Sequence, residues 1–425
     1  MTREIHVFGD WKELGEAKCI GLLRSEATHG KETFSFEYDQ QWLEDANAML
    51  LDPDLQLFSG PQYLSGQDRS NFGMFLDSSP DRWGQLLMRR RELREARLAK
   101  RSPKILLGSD FLLGVHDEQR VGGLRFKTDP DAEFLSDEQG SAAPPWARLR
   151  DLESAAWRFQ SDEGFDSADN ATEWLRLLMA PASSIGGARP KAGVCDEEQS
   201  LWIAKFPGRN DAYDVGGWEW VTHQMAREAG LDIADARAEK LGRPHHTFMV
   251  KRFDRVLENG ERKRLHFASA MTMLGYSDGT SFRDGASYLE IVEFLTRHGA
   301  ATKADLSELW RRIVFSICVS NTDDHLRNHG FLLRPNGWAL SPAYDINPDP
   351  AGTGLSLNVS DADNSLDLGL ALEVAEFFRL EQAEANSIMD QVKRAVRQWS
   401  DFANQLGLPR SEQEAMAAAF RTAEE

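Results

Sequence analysis

An α+β fold, with short strands toward the front of the chain and helices toward its back, is what the sequence predicts. Three observations carry that expectation. Glu4-Ile5-His6-Val7-Phe8 and Thr33-Phe34-Ser35-Phe36-Glu37-Tyr38 alternate in the period of a half-buried strand. Ile388, Val392, Ala395, Trp399, Phe402 and Leu406 recur at steps of 4, 3, 4, 3 and 4, which puts one apolar stripe on a helix. Between these regions, Gly330 to Leu333 and Trp338 to Leu340 are short apolar runs joined by Pro335-Asn336-Gly337. An Asn-Gly step there predicts a hairpin with a type I′ turn, because that turn needs positive φ at both central residues.

Composition sets the outer bounds. A chain of 425 residues has room for two or three cooperating lobes, and 41% hydrophobic content with 12 Trp and 23 Phe is globular. The sequence contains no uncharged apolar run of about 18 residues, so no membrane-spanning helix is expected. The opening MTREIHVFGDWKELGE lacks the apolar core of a signal peptide. Cys19, Cys195 and Cys318 are far apart and form no CxxC pair, which suits a reducing cytoplasm and argues against a disulfide or zinc framework. A net charge of −19 argues against nucleic-acid binding by the whole surface. The local exception is Arg82 to Lys104, with nine basic residues against Glu92 and Glu95. A solvated helix face is the plainer reading, and a dock for an acidic partner or nucleic acid the functional one.

Taken in order, residues 1–127 read as a first, strand-bearing unit, in which Ser79-Pro80-Asp81 opens a helix with Ser79 as N-cap. Residues 128–148 form a linker: from Thr128 to Pro145 the composition turns to Asp, Glu, Ser, Ala and Pro. Residues 149–258 follow as a third part. Here Ala182 to Lys191 holds Ser184, Ile185, Gly186, Gly187 and Ala188 next to Arg189-Pro190-Lys191. Paired glycines flanked by hydroxyl and basic residues can aim backbone N–H groups at an anion, although a plain turn fits as well. In the alternating run Leu201 to Pro207, Lys205 shares a face with Ile203, a costly place for an amine unless an anion such as a phosphate meets it. Glu219, near the start of a helical stretch from Trp218 to Ala229, is placed to hold such a lysine. Arg252 and Asp254, in Val250 to Arg255, read as supporting residues or as a surface pair.

The last part, 259–425, carries the densest chemistry. The apolar run Ile313 to Val319 ends in Asn321-Thr322-Asp323-Asp324-His325-Leu326-Arg327-Asn328, the hairpin follows, and Tyr344-Asp345-Ile346 comes directly after it. Phosphoryl transfer from ATP needs this order of groups. Asp323 would orient or deprotonate an acceptor hydroxyl, and the Asn328 amide oxygen with the Asp345 carboxylate would hold Mg²⁺ on the phosphates. Protein kinases space their catalytic-loop Asp and Asn in the same way and also place the later metal-binding Asp after a hairpin.

These segments, with Phe72 to Gly84, Ser184 to Lys191, Ile203 to Pro207, Arg252 to Arg255, Asn321 to Asn328 and Leu340 to Asp345 in family order, resemble the HipA family of bacterial serine/threonine kinases, the toxins of toxin–antitoxin pairs. The resemblance implies a two-lobed, protein-kinase-like fold with a β-rich N-terminal subdomain and a mostly helical C-terminal lobe. It implies a HipA-like subdomain at 1–127, an ATP-binding part at 149–258 and a catalytic lobe at 259–425. By the same resemblance Asp323 is the catalytic base, with His325 in support, Asn328 and Asp345 are the Mg²⁺ ligands, and Lys205 binds phosphate. Ser184 falls at the family's autophosphorylation position. The implied partners are ATP, a protein substrate of the aminoacyl-tRNA synthetase kind and a small DNA-binding antitoxin. The alternatives are a small-molecule kinase, a non-catalytic partner-binding module, and a metal-dependent hydrolase using Asp323, Asp324, His325 and His329.

Overall fold

The computed structural model describes residues 2–64, 69–135, 143–160, 175, 178, 187 and 189–424. The chain divides into two compact units, one of residues 1–210 with 254–268 and the other of 211–253 with 269–425. Among the described residues, no helix is long and apolar enough to cross a membrane.

The first unit is built on a five-stranded antiparallel sheet, in the order Gln62–Tyr63, Lys31–Tyr38, Lys18–Thr28, Thr2–Gly9, Leu124–Lys127. Alternation turns Ile5, Val7, Phe34 and Phe36 to the core, as the sequence predicts, and Leu23 joins them from the strand between. Phe75, on the short helix Gly73–Asp77, closes over this face with its ring 5.7 Å from Phe36 and 6.1 Å from Phe126. Each such buried ring stabilises the unit by roughly 1.5–3 kcal/mol. A turn with positive φ at both central residues does occur, but here: Thr28 pairs with Lys31 across His29 (φ 51°) and Gly30 (φ 78°).

Helix Arg82–Leu98 starts where the sequence predicts, but Asp81 caps it, not Ser79. One Asp81 oxygen accepts from Gly84 N at 2.8 Å, and the other meets Lys191 Nζ at 2.7 Å in a pair almost closed to solvent. Ser79 instead donates its hydroxyl to the Phe75 carbonyl. Asp254 differs from its surface-pair reading too. It is fully buried, accepts from Gly122 N at 3.0 Å and from Arg255 at 2.8 Å, and so ties residues 254–268 into this unit. His266, also buried, stacks on Trp11 at 4.9 Å.

The second unit is mostly helical. Helix Val215–Glu228 is capped by Asp214, which also binds buried His246. The long helix Thr302–Cys318 runs through the core, and the hairpin Gly330–Arg334 with Gly337–Leu340 follows it. That hairpin is present, but its turn is not type I′. Arg334 pairs with Gly337, so Pro335 and Asn336 are central, and the proline ring fixes a negative φ. Gly337 takes φ 132° as the first strand residue, beside the His298 carbonyl, which leaves no room for a side chain. The stripe near the C-terminus is split between two helices, Gln382–Val396 and Trp399–Leu406. Ile388, Val392 and Ala395 are buried on the first, while Trp399 on the second stacks on Phe420 at 5.1 Å.

Candidate active site

The Asp323 loop begins at the way helix Thr302–Cys318 ends. Its last turns, Ile313, Val314, Phe315, Ile317 and Cys318, are all buried, so this end is fixed in the core. Ser320 then takes a left-handed φ of 49°, with Ser320 N on the Ile317 carbonyl and Asn321 N on the Ser316 carbonyl, which is a Schellman closure with serine in the usual glycine position. The Ser320 hydroxyl donates to the Ala419 carbonyl at 2.9 Å and holds the turn. From there the chain enters the loop in a defined direction.

Neighbouring aspartates in the loop face opposite ways. The Asp323 side chain is 84% exposed, and the Asp324 side chain only 7%. Asp324 accepts from Tyr288 OH at 2.6 Å and from Ser316 Oγ at 3.1 Å, and its other oxygen faces His329 Nε2 at 2.9 Å. Burial alone would push this carboxyl up. His329, Tyr288 and Ser316 outweigh burial and hold it below the usual carboxylate range. The Tyr288 hydroxyl is pushed well above its ordinary value by burial and by the Asp324 charge.

Asp323 behaves in the opposite sense. Partial desolvation raises its carboxyl above the ordinary value, and the like charges of Asp345 and Asp324 add to that, while His325, at 4.0 Å, opposes them. Asn328 is tied directly to this residue, its Nδ2 donating to the Asp323 carbonyl at 2.7 Å. A carbonyl only accepts, so the amide nitrogen must face it, and this fixes which atom of Asn328 is the oxygen. Asp345 follows the hairpin at φ 58°, a left-handed conformation that Asp tolerates better than most residues. Tyr344 beside it donates to the Arg327 carbonyl at 2.7 Å, and Asn347 N donates to Asn321 Oδ1 at 3.3 Å. The two loops are therefore laced together by their flanking residues.

The remaining expected residues belong elsewhere in the chain. Lys205 ends strand Leu201–Lys205 in the first unit and lies opposite Lys191 in the antiparallel partner Lys191–Cys195. Both faces of that strand are covered, with Trp202, Ile203, Ala204 and Phe206 all buried. Lys191 Nζ also donates to the Gly187 carbonyl at 3.0 Å, at the end of the glycine-rich stretch. Ser184, Ile185, Gly186 and Ala188 lie outside the described residues. Glu219 and Arg252 are buried in the second unit. Among the described residues no group of three or more His, Cys, Asp and Glu side chains is placed to hold a metal ion, as the hydrolase alternative requires. Asp324 and His329 instead face each other.

Sequence reasoning did not single out Ser316, Tyr288, Asn321 or Asn347. Ser316 did leave a signal, being the one hydroxyl in the apolar run Ile313 to Val319. Tyr288 left none.

A helix-terminated loop carrying Asp and Asn, followed by a hairpin and a second Asp, is the arrangement of a kinase-like catalytic lobe. Residues 183–399, just over half of the chain, match the HipA-like C-terminal domain, and the chain belongs to that family. A Sinorhizobium fredii protein named as a candidate kinase, Y4mE, is 29% identical over 357 residues, covering 78% of this chain and 75% of that one. A Haemophilus influenzae protein also named as a candidate kinase is 28% identical over 181 residues, 38% of this chain and 52% of the other. Among solved structures, HipA from the Shewanella oneidensis toxin–antitoxin complex of HipA, HipB and operator DNA superposes with a TM-score of 0.66 at 18% identity, over 96% of this chain and 94% of that one. The fold is the α+β, two-lobed kinase-like class, with a β-rich N-terminal part and a mostly helical C-terminal lobe.

Proposed function

We propose that the chain is an ATP-dependent serine/threonine protein kinase with its catalytic groups in the second unit. The observation that carries this reading is the split between adjacent aspartates: Asp324 is locked in the core, while Asp323 is exposed with a raised carboxyl next to Asn328 and Asp345. A carboxylate raised toward neutrality is suited to accept a hydroxyl proton. The Asn328 amide oxygen and the Asp345 carboxylate form an all-oxygen donor pair of the kind Mg²⁺ prefers, and the Asp345 charge that raises Asp323 marks excess negative potential that a cation would relieve. When bound there, Mg²⁺ supplies charge neutralisation on the ATP phosphates.

In this reading Asp323 orients the acceptor hydroxyl and takes its proton, His325 tempers the Asp323 charge, and Lys205 and Glu219 are each assigned to ATP binding. Ser184, Ile185, Gly186, Gly187 and Ala188 are assigned to phosphate binding, with residues 149–258 as the ATP-binding part and 259–425 as the catalytic part. Ser184 is the autophosphorylation site, where roughly two added negative charges would oppose ATP binding. The acceptor is a Ser or Thr of a protein such as an aminoacyl-tRNA synthetase, and the partner a small DNA-binding antitoxin. Family membership, and HipB in the Shewanella complex, support these assignments.

The test is intact-mass analysis of initially unphosphorylated protein after incubation with Mg·ATP, followed by peptide mapping. One added phosphate on Ser184, lost in Asp345→Asn, is the expected result. Equal phosphorylation in Asp345→Asn would remove that residue from the site, and consumption of ATP only with an added small alcohol would favour a small-molecule kinase.

A further inference from the structure

The three proposed site residues share one buried polar support. Asp324 is bolted to three places: Tyr288 at the start of helix Tyr288–His298, Ser316 in helix Thr302–Cys318, and His329 at the entry to strand Gly330–Arg334. Ser316 Oγ, donating to Asp324, also accepts from Asn321 Nδ2 at 3.5 Å. Asn321, 1% exposed, turns its oxygen to Asn347 N at 3.3 Å, and Asn347 Nδ2 reaches Asp345 Oδ1 at 3.5 Å. In the other direction the Asp324 backbone follows Asp323, whose carbonyl holds the Asn328 amide. The path through Ser316 ends on Asp345 and the backbone path on Asp323 and Asn328, while Tyr288 and His329 fix the hub to its helix and strand.

We propose that Ser316, Asn321 and Asp324, with Tyr288, are the positioning residues that set Asp323, Asn328 and Asp345 relative to one another. This rests on the kinase reading above. Two hydrogen bonds, from Tyr288 and Ser316, and the facing His329 ring hold this one carboxylate from three elements. Replacing the carboxylate by an amide removes the charge facing His329 and leaves Tyr288 and Ser316 a single, weaker acceptor oxygen, which loosens the hub. Supporting residues of this kind around a metal site are typically worth about 10- to 100-fold in metal affinity or activity.

The test compares wild type, Asp324→Asn and Ser316→Ala in three readouts: phosphate transfer from Mg·ATP, Mn²⁺ affinity by electron paramagnetic resonance with ADP present, and thermal melting. Asp324→Asn should lower kcat by about tenfold or more and weaken Mn²⁺ in the same direction, with a smaller change in the KM for ATP. Should that variant not fold, Ser316→Ala carries the test, since it deletes one hydrogen bond at 3.1 Å and no charge. It should show the same losses in kcat and Mn²⁺ affinity, smaller in size. A folded Ser316→Ala with wild-type kcat and wild-type Mn²⁺ affinity overturns the proposal. A wild type that transfers no phosphate, but whose Mn²⁺ affinity falls in Ser316→Ala, would overturn the kinase reading while leaving the positioning of the metal-holding pair in place.

Discussion

Replacing Asp81 by asparagine isolates the charge in a carboxylate that does two jobs. One oxygen caps helix Arg82–Leu98 through Gly84 N, and the other pairs with Lys191, both side chains being 1% exposed. Asparagine caps helices about as well as aspartate, so Asp81→Asn keeps the cap and removes only the charge. The Lys191 ammonium is then left buried with the Gly187 carbonyl as its remaining acceptor. Removing one partner of a buried pair typically costs about 3–5 kcal/mol, and Asp81→Ala should cost about 1 kcal/mol more for the lost cap. Against a total stability of about 5–15 kcal/mol for a typical domain, this is readily measured. Lys191→Met in the Asp81→Asn background should recover at least about 2 kcal/mol, because two neutral groups in the same space leave no unpaired charge. Urea unfolding of the four members of the cycle, extrapolated linearly to water, gives the coupling. Effects that add within about 0.5 kcal/mol, or an Asp81→Asn cost below about 1 kcal/mol, would refute the argument.

Other outcomes follow from the same geometry. Because the Asp323 carboxyl is raised, phosphate transfer should fall on the acid side at a pH above that of a free aspartate, and an acid limb at or below it would contradict the assignment. Burial raises Asp52 from 3.8 to about 6, so its contribution to stability is fully present below about 4 and is lost as pH rises through about 6; a stability profile with no fall across that interval, or the same fall in Asp52→Asn, would count against it. Asp254→Ala should cost about 3–5 kcal/mol, since it takes the carboxylate from buried Arg255, leaving it only backbone carbonyls, and removes the acceptor of the Gly122 N–H; a melting temperature unchanged from wild type would contradict this.

What the sequence made legible was local. The alternating strands at the front, the hairpin after the Asp323 loop and the order of Asp323, Asn328 and Asp345 could all be read from neighbours a few residues apart. What it hid depends on distant partners. Both Ser79 and Asp81 are competent caps, and the choice falls to Asp81 because its second oxygen meets Lys191, 110 residues away. Arg252 to Arg255 looks like a charged surface run, yet Asp254 is buried because Gly122 N, 132 residues off, needs an acceptor. Asp323 and Asp324 are chemically identical in the sequence, and only the direction in which the Schellman closure launches the loop makes one a core anchor and the other an exposed carboxylate. The turn type failed for a local reason: Pro335 takes the first central position and its ring forbids the positive φ that an Asn-Gly turn would use.

The most direct test of the central claim is transfer of labelled γ-phosphate from Mg·ATP to protein, run with wild type beside Asp323→Asn. Label on the wild-type chain or an added protein acceptor, reduced by about 100-fold or more in the variant, is the predicted result. Equal labelling of the two proteins would contradict the assignment of Asp323, and no labelling of either, from protein shown to be unphosphorylated at the start, would contradict the kinase itself.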